Sequence, residues 1–172
     1  ERGMIKTYKN KIDKLFDTEG FKIIKCKKNG DCFYHALSKA LNISINELRS
    51  IVSSNIKQEH FDFWKEIWDS TLSEEYDFME NVFDLNSLKN IVLTNDFWGE
   101  EVSINILQNH FKIGLIIIDS ITNDIITKFK ISDCDRFIIL NFKGMHYDLI
   151  KYDNRIIFDK LTIPNCVLEK LY

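Results

Sequence analysis

The 172-residue sequence predicts an α+β fold, with helices packed on a mostly antiparallel sheet of about five short strands. Two observations carry that expectation. As far as residue 111, apolar residues recur every three or four positions, the spacing of helices with one buried face. Beyond it the pattern changes to short runs rich in Ile, Phe and Tyr, separated by turn residues, which is how strands read.

The elements follow in order. Ile5, Tyr8, Ile12, Leu15 and Phe16 share a helical face, and Gly20 ends that helix. "FKIIKCK" (21–27) is a short β run and "KNGD" (28–31) a turn. Cys32 to Leu41 reads as a helix with Phe33, Leu37 and Ala40 or Leu41 on one face. Ser44 followed by Glu47 is a capping-box pair, opening a helix that extends to about Gln58. Residues 60–95 continue as helix and are dense in Phe and Trp. In "DFWGEEVSINILQNHF" (96–111) another helix starts near Gly99, with Glu100 and Glu101 matching its positive N-terminal end. The strands are "KIGLIIIDS", "DIITKFK", "RFIILNFK", "HYDLIKYD" and "RIIF", with Asp153-Asn154 a hairpin turn before the last. No repeat, linker or low-complexity stretch interrupts residues 1–172, which read as a single domain.

Composition narrows the function classes. With 45% hydrophobic and 13% aromatic residues the chain can bury a core. The net charge is −3 and the Lys and Arg residues are dispersed, which argues against a nucleic-acid partner. Cys26, Cys32, Cys134 and Cys166 form no CxxC pair and no tight Cys/His cluster, so no metal and no cofactor is expected. Neither a charged-plus-apolar leader nor an apolar run of membrane-spanning length is found. The expectation is a monomer in a reducing, cytoplasmic compartment, away from membranes.

Cys32 is the first chemical candidate. A thiol in the first turn of a helix faces backbone N–H groups and the positive end of the helix dipole, and both favour thiolate. Such surroundings bring a cysteine from about 8.5 to roughly 3.5–7.5. Gly30 permits close backbone approach, so amides around 30–32 could form an oxyanion hole. The position equally fits a small buried hydrophobe. Four histidines compete as base. His35 lies one turn beyond Cys32, while His60 and His110 sit in aromatic-rich helical stretches as surface or packing residues. His146 opens a strand at a turn, and alternation puts Asp148 on the same face with Tyr147 opposite. A carboxylate beside an imidazole fixes its tautomer and stabilises its cation. A solvated strand carboxylate beside an edge histidine fits the same spacing.

These residues carry a resemblance. "NGDCFYHAL" resembles the nucleophile motif of the ovarian tumour (OTU) domain cysteine proteases. "FWGEEVSINILQNHFKIGLIIID" resembles that family's Trp-Gly helix and following β run, and "GMHYDLI" its terminal His-Tyr-Asp strand. The motif blocks, 29–41, 96–119 and 136–152, come in the family's order.

The resemblance implies a papain-like OTU fold and a metal-free deubiquitinase cleaving isopeptide bonds at the C-terminal glycine of ubiquitin or a ubiquitin-like modifier. It implies Cys32 as nucleophile, His146 as general base and Asp148 as the orienting acid. Asn29 stands where the family usually has the Asp that arranges the oxyanion loop; an amide can hold a loop but lacks charge. Asp31 is expected to face solvent and Trp98 to pack in the core. The helical segment 60–95 and the 119–127 turn are the expected substrate side, with ubiquitin or polyubiquitin chains as partner. Two other readings stay open: a catalytically weak ubiquitin-binding module, and a pathogen cysteine protease acting on a polyprotein. In a pathogen, the place of action would be the host cytoplasm.

Overall fold

The computed structural model describes residues 20–98, 101–122, 124–169 and 171; the helix expected over 5–16 lies outside them. Its elements are helices and a mostly antiparallel five-stranded sheet, an α+β protein. Contacts divide the chain into a sheet unit, Glu1–Cys26 with Lys112–Tyr172, and a helical unit, Lys27–Phe111.

In the sheet unit the strands are β1 (Phe21–Ile24), β2 (Ile113–Asp119), β3 (Asp124–Thr127), β4 (Arg136–Lys143) and β5 (His146–Tyr152). Their spatial order is β1-β5-β4-β2-β3. Every pairing is antiparallel except β2 with β4, which is parallel. β2 is buried along its whole length, which explains its unbroken apolar run: a strand covered on both faces shows no alternation. Phe21, Ile116, Ile118, Phe137, Ile139, Ile150 and Phe158 form the core, and Val167 of the short helix Asn165–Leu168 packs with them.

Two strand expectations are corrected. β1 stops at Ile24 rather than 27 because the chain leaves the ladder, and the Cys26 N–H turns to the Asp148 carboxylate at 2.8 Å. "RIIF" is not a strand. Asp153 and Asn154 do make the expected tight turn, both left-handed (φ 47° and 62°), and Tyr152 and Arg155 exchange backbone hydrogen bonds of 2.9 Å. No ladder follows that bridge: β5 pairs with β1 over Leu149–Tyr152 and with β4 over His146–Leu149. Phe158 instead makes an isolated bridge to Phe137, ahead of the β4 residues that pair with β5.

The helical unit contains α1 (Cys32–Leu41), α2 (Ile45–Asn55), α3 (Gln58–Thr71), a 3₁₀ segment (Glu74–Met79), α4 (Leu85–Val92) and α5 (Glu101–Phe111). α1 has the expected bounds and ends where Asn42 turns left-handed at φ 55°. Ser44 Oγ accepts from the Glu47 N–H at 3.1 Å and starts α2. This helix ends at Asn55, short of Gln58, because Ile56 turns extended and is itself buried. Tyr34 of α1 donates its hydroxyl to Ser103 Oγ of α5 at 3.1 Å. Trp64, Phe78 and Phe97 meet edge to face with ring centres 5.1–5.8 Å apart, the arrangement that aromatic quadrupoles prefer. Among the described residues no helix is long and apolar enough to cross a membrane.

α3 is capped by an imidazole. His60 Nδ1 accepts from the Lys57 N–H at 2.9 Å, which only an unprotonated ring can do. Burial lowers the His60 pKa below the ordinary 6.5, Lys57 adds to that, and Glu59 opposes it. A lowered imidazole pKa stabilises the fold above the unfolded value, and this contribution is lost as pH falls through the folded value. His35 is lowered in the same direction by burial, Lys39 and Lys27. Glutamine at the third helical position also caps the backbone but does not titrate. His60→Gln should therefore show a smaller drop in urea midpoint than the native chain between about pH 7.5 and 5.5.

Candidate functional site

The helical unit holds the thiol. Cys32 is the first residue of α1 and is 4% exposed. The turn before it is organised by Asn29: its side-chain oxygen accepts the Asp31 N–H at 2.9 Å, and its backbone carbonyl accepts the Cys32 N–H at 3.1 Å. The N–H groups of Asp31 and Cys32 are thus both directed at Asn29. Since the acceptor at position 29 is an oxygen, an amide serves this turn as a carboxylate would.

Gly30 is buried, and its role is close approach. A Cβ there would overlap the Asn95 backbone carbonyl and lie 2.7 Å from Trp98 Nε1. Trp98 is therefore not the core residue expected: it is 37% exposed beside Gly30, while its neighbour Phe97 is fully buried against Trp64 and Phe78.

Asp31 does not face solvent as expected. Arg49 Nη2 and Nε donate to one of its carboxylate oxygens at 2.7 and 3.1 Å. Arg49, from α2, is 1% exposed. Its Nη2 also donates to the Gly30 carbonyl at 3.0 Å, and Nη1 donates to the Val92 and Phe97 carbonyls at 3.0 and 2.8 Å. The guanidinium lies 4.1 Å from the centre of the Tyr34 ring. Sequence reasoning missed this residue. The signal was there: Ile45, Leu48, Val52 and Ile56 mark an apolar helical stripe, and Arg49 falls inside it.

His35, the competing base in this unit, is already committed. Its Nδ1 accepts the Lys27 N–H at 3.1 Å, which occupies the lone pair a base would use. Cys134 and Cys166 are poor nucleophiles, because burial pushes both thiols above the ordinary range.

The sheet unit holds the other pair. His146 begins β5 and Asp148 follows on the same face, with His146 Nε2 2.9 Å from Asp148 Oδ1. The same carboxylate oxygen accepts the Cys26 N–H, so two donors from different strand regions aim it. Asp148 is 7% exposed and sits opposite fully buried Asn141 of β4. With Nε2 on the carboxylate, the His146 lone pair falls to Nδ1. The expected residues thus gather in two groups: Asn29, Gly30, Asp31 and Cys32 around one turn, His146 and Asp148 on one strand.

No protein-family sequence model and no curated protein sequence matches the chain. Its structure, however, is similar to that of an ovarian tumour (OTU) domain in complex with ubiquitin. The TM-score is 0.62 at 19% identity, over 87% of this chain and 81% of that one. The fold is that of an OTU domain. An OTU deubiquitinase from Wolbachia pipientis wMel, bound to ubiquitin, is also similar, with TM-score 0.51 at 14% identity over 80% of this chain and 99% of that one.

The Gly30 contact generates a prediction. Gly30→Ala should lower the unfolding free energy by about 1–3 kcal/mol or more, since a backbone carbonyl cannot move aside as a flexible side chain does. Urea denaturation of the two proteins measures it.

Proposed function

We propose that the chain is a deubiquitinase: a thiol hydrolase that cleaves isopeptide bonds at the C-terminal glycine of ubiquitin, its two units acting as one OTU-type domain. The observation that carries this reading is the His146 Nε2 to Asp148 Oδ1 bond, which leaves Nδ1 as base, in a chain with an OTU-domain fold. The ubiquitin complexes of the similar structures support the choice of substrate.

In the proposed reaction His146 Nδ1 takes the Cys32 proton and the thiolate adds to the glycine carbonyl carbon. Charge moves to the carbonyl oxygen, where the Cys32 N–H exchanges Asn29 O for the oxyanion; such a donor is worth about 2.7–4 kcal/mol. Collapse expels the lysine amine, which receives the proton from His146 and leaves a thioester. Water then attacks, His146 takes its proton, and the Cys32 thiolate departs and is reprotonated, freeing the ubiquitin carboxylate. Asp148 holds the ring and stabilises its cation throughout. Because Asn29 binds the Asp31 N–H, the substitution at this position gives no support to a recognition module without turnover.

The aromatic-rich segment divides. Trp64 and Phe78 belong to the core, whereas Phe63 (60% exposed) and Phe83 (77% exposed) are available to a partner. Those two residues are the proposed ubiquitin contacts of the helical unit, and the turn holding Ile121, which is 69% exposed, is that of the sheet unit.

Ubiquitin carrying a C-terminal thiol-reactive group should form a covalent adduct with the native chain and none with Cys32→Ala; stoichiometric binding without adduct would establish the recognition module instead. His146→Ala should abolish turnover of di-ubiquitin and His35→Ala should retain it. Asp148→Asn should lower kcat by about a hundredfold or more. Phe63→Ala with Phe83→Ala should raise KM for a ubiquitin substrate about fivefold with kcat kept, as loss of uniform binding does. A chain active on a viral or bacterial polyprotein but inert on every di-ubiquitin linkage would overturn the substrate assignment.

A further inference from the structure

We propose that Arg49 is the positioning residue of the nucleophile loop, clamping the Gly30–Asp31 peptide so that Cys32 enters α1 in reactive orientation. In a trans peptide the carbonyl and the following N–H point in opposite directions. Arg49 Nη2 holds the Gly30 carbonyl at 3.0 Å and Asn29 Oδ1 holds the Asp31 N–H at 2.9 Å, so this plane is gripped from both edges. One residue later the chain becomes helical at Cys32.

The guanidinium does a second thing to the same turn. Asp31 is the N-cap of α1, where a carboxylate ordinarily accepts first-turn N–H groups, yet its side chain makes no capping bond. Arg49 Nε and Nη2 hold that carboxylate instead. A negative side chain is thereby withdrawn from the helix end that carries the nucleophile. The Nη1 bonds to Val92 and Phe97 anchor the clamp on the opposite side, beside the segment whose Asn95 and Trp98 contact Gly30.

All five guanidinium N–H groups are used, in the fixed fork that lysine cannot copy. A residue needed only to fill space would not require four directed acceptors, two of them in the turn before the thiol.

The role of Arg49 in turnover rests on the thiol mechanism proposed above, but its hold on the loop does not, and the test separates the two. Amide hydrogen exchange in Arg49→Lys should accelerate by about tenfold or more at Asp31 and Cys32, with Ile138–Leu140 of β4 unchanged. On a fluorogenic ubiquitin substrate kcat should fall about ten- to a hundredfold with KM within about twofold. Asp31→Ala removes the acceptor of Nε and of one Nη2 N–H and keeps the Gly30, Val92 and Phe97 bonds; it should show a smaller local exchange change and a smaller kcat loss. The double variant should be no worse than Arg49→Lys alone, because both act through one contact.

If Arg49→Lys does not fold, Asp31→Ala decides. Unchanged exchange at 31 and 32, exchange raised equally throughout the chain, or independent multiplying losses would overturn the proposal. A native chain inert toward ubiquitin defeats the deubiquitinase reading, while exchange still reads the clamp.

Discussion

A buried guanidinium organises the turn before Cys32. Removing a charge of this kind from water is costly unless every donor finds an acceptor, and Arg49 finds them in Asp31, Gly30, Val92 and Phe97. Two of these lie just before Cys32 and two at or beyond the end of α4. The turn, the second helix and the segment leading toward α5 are therefore fixed by one planar group. Gly30 belongs to the same constraint, since only a residue without a Cβ lets Asn95 and Trp98 come so close.

The sheet unit reaches comparable order by different means. Asp148 is fixed by two donors on one oxygen, the ring of His146 and the backbone of Cys26. The early end of β1 has its explanation here: a residue continuing the ladder could not also deliver its N–H to the carboxylate. A short strand and a well-held acid are one feature.

Much of this was legible in the sequence. Cys32 stood out because a polar turn meets an apolar helical period there, and both are local properties. His146 and Asp148 were paired by strand alternation, which depends only on backbone geometry. The bounds of α1, β4 and the Asp153-Asn154 turn followed for the same reason. What escaped depends on neighbours distant in sequence. "RIIF" has every propensity of a strand, but Phe158 bridges to Phe137 instead of extending a hairpin along β5. Phe97 and Trp98 are adjacent aromatics, and only the positions of Trp64 and Phe78 decide which turns inward. Ile56 breaks α2 because the core takes its side chain in an extended conformation. Arg49 reads as an ordinary surface charge until its place on the apolar stripe is noticed.

The placement of β5 also restricts how a polypeptide can approach its first residue. Because Lys143 of β4 pairs with His146, no extended segment can add a rung to the ladder on that flank of the first residue. On the proposed deubiquitinase reading, a cleavable chain reaches the imidazole past the β4–β5 turn, where Met145 is 68% exposed. The shape of that short turn, rather than main-chain pairing on the β4 side, then governs selectivity for the leaving side on that reading.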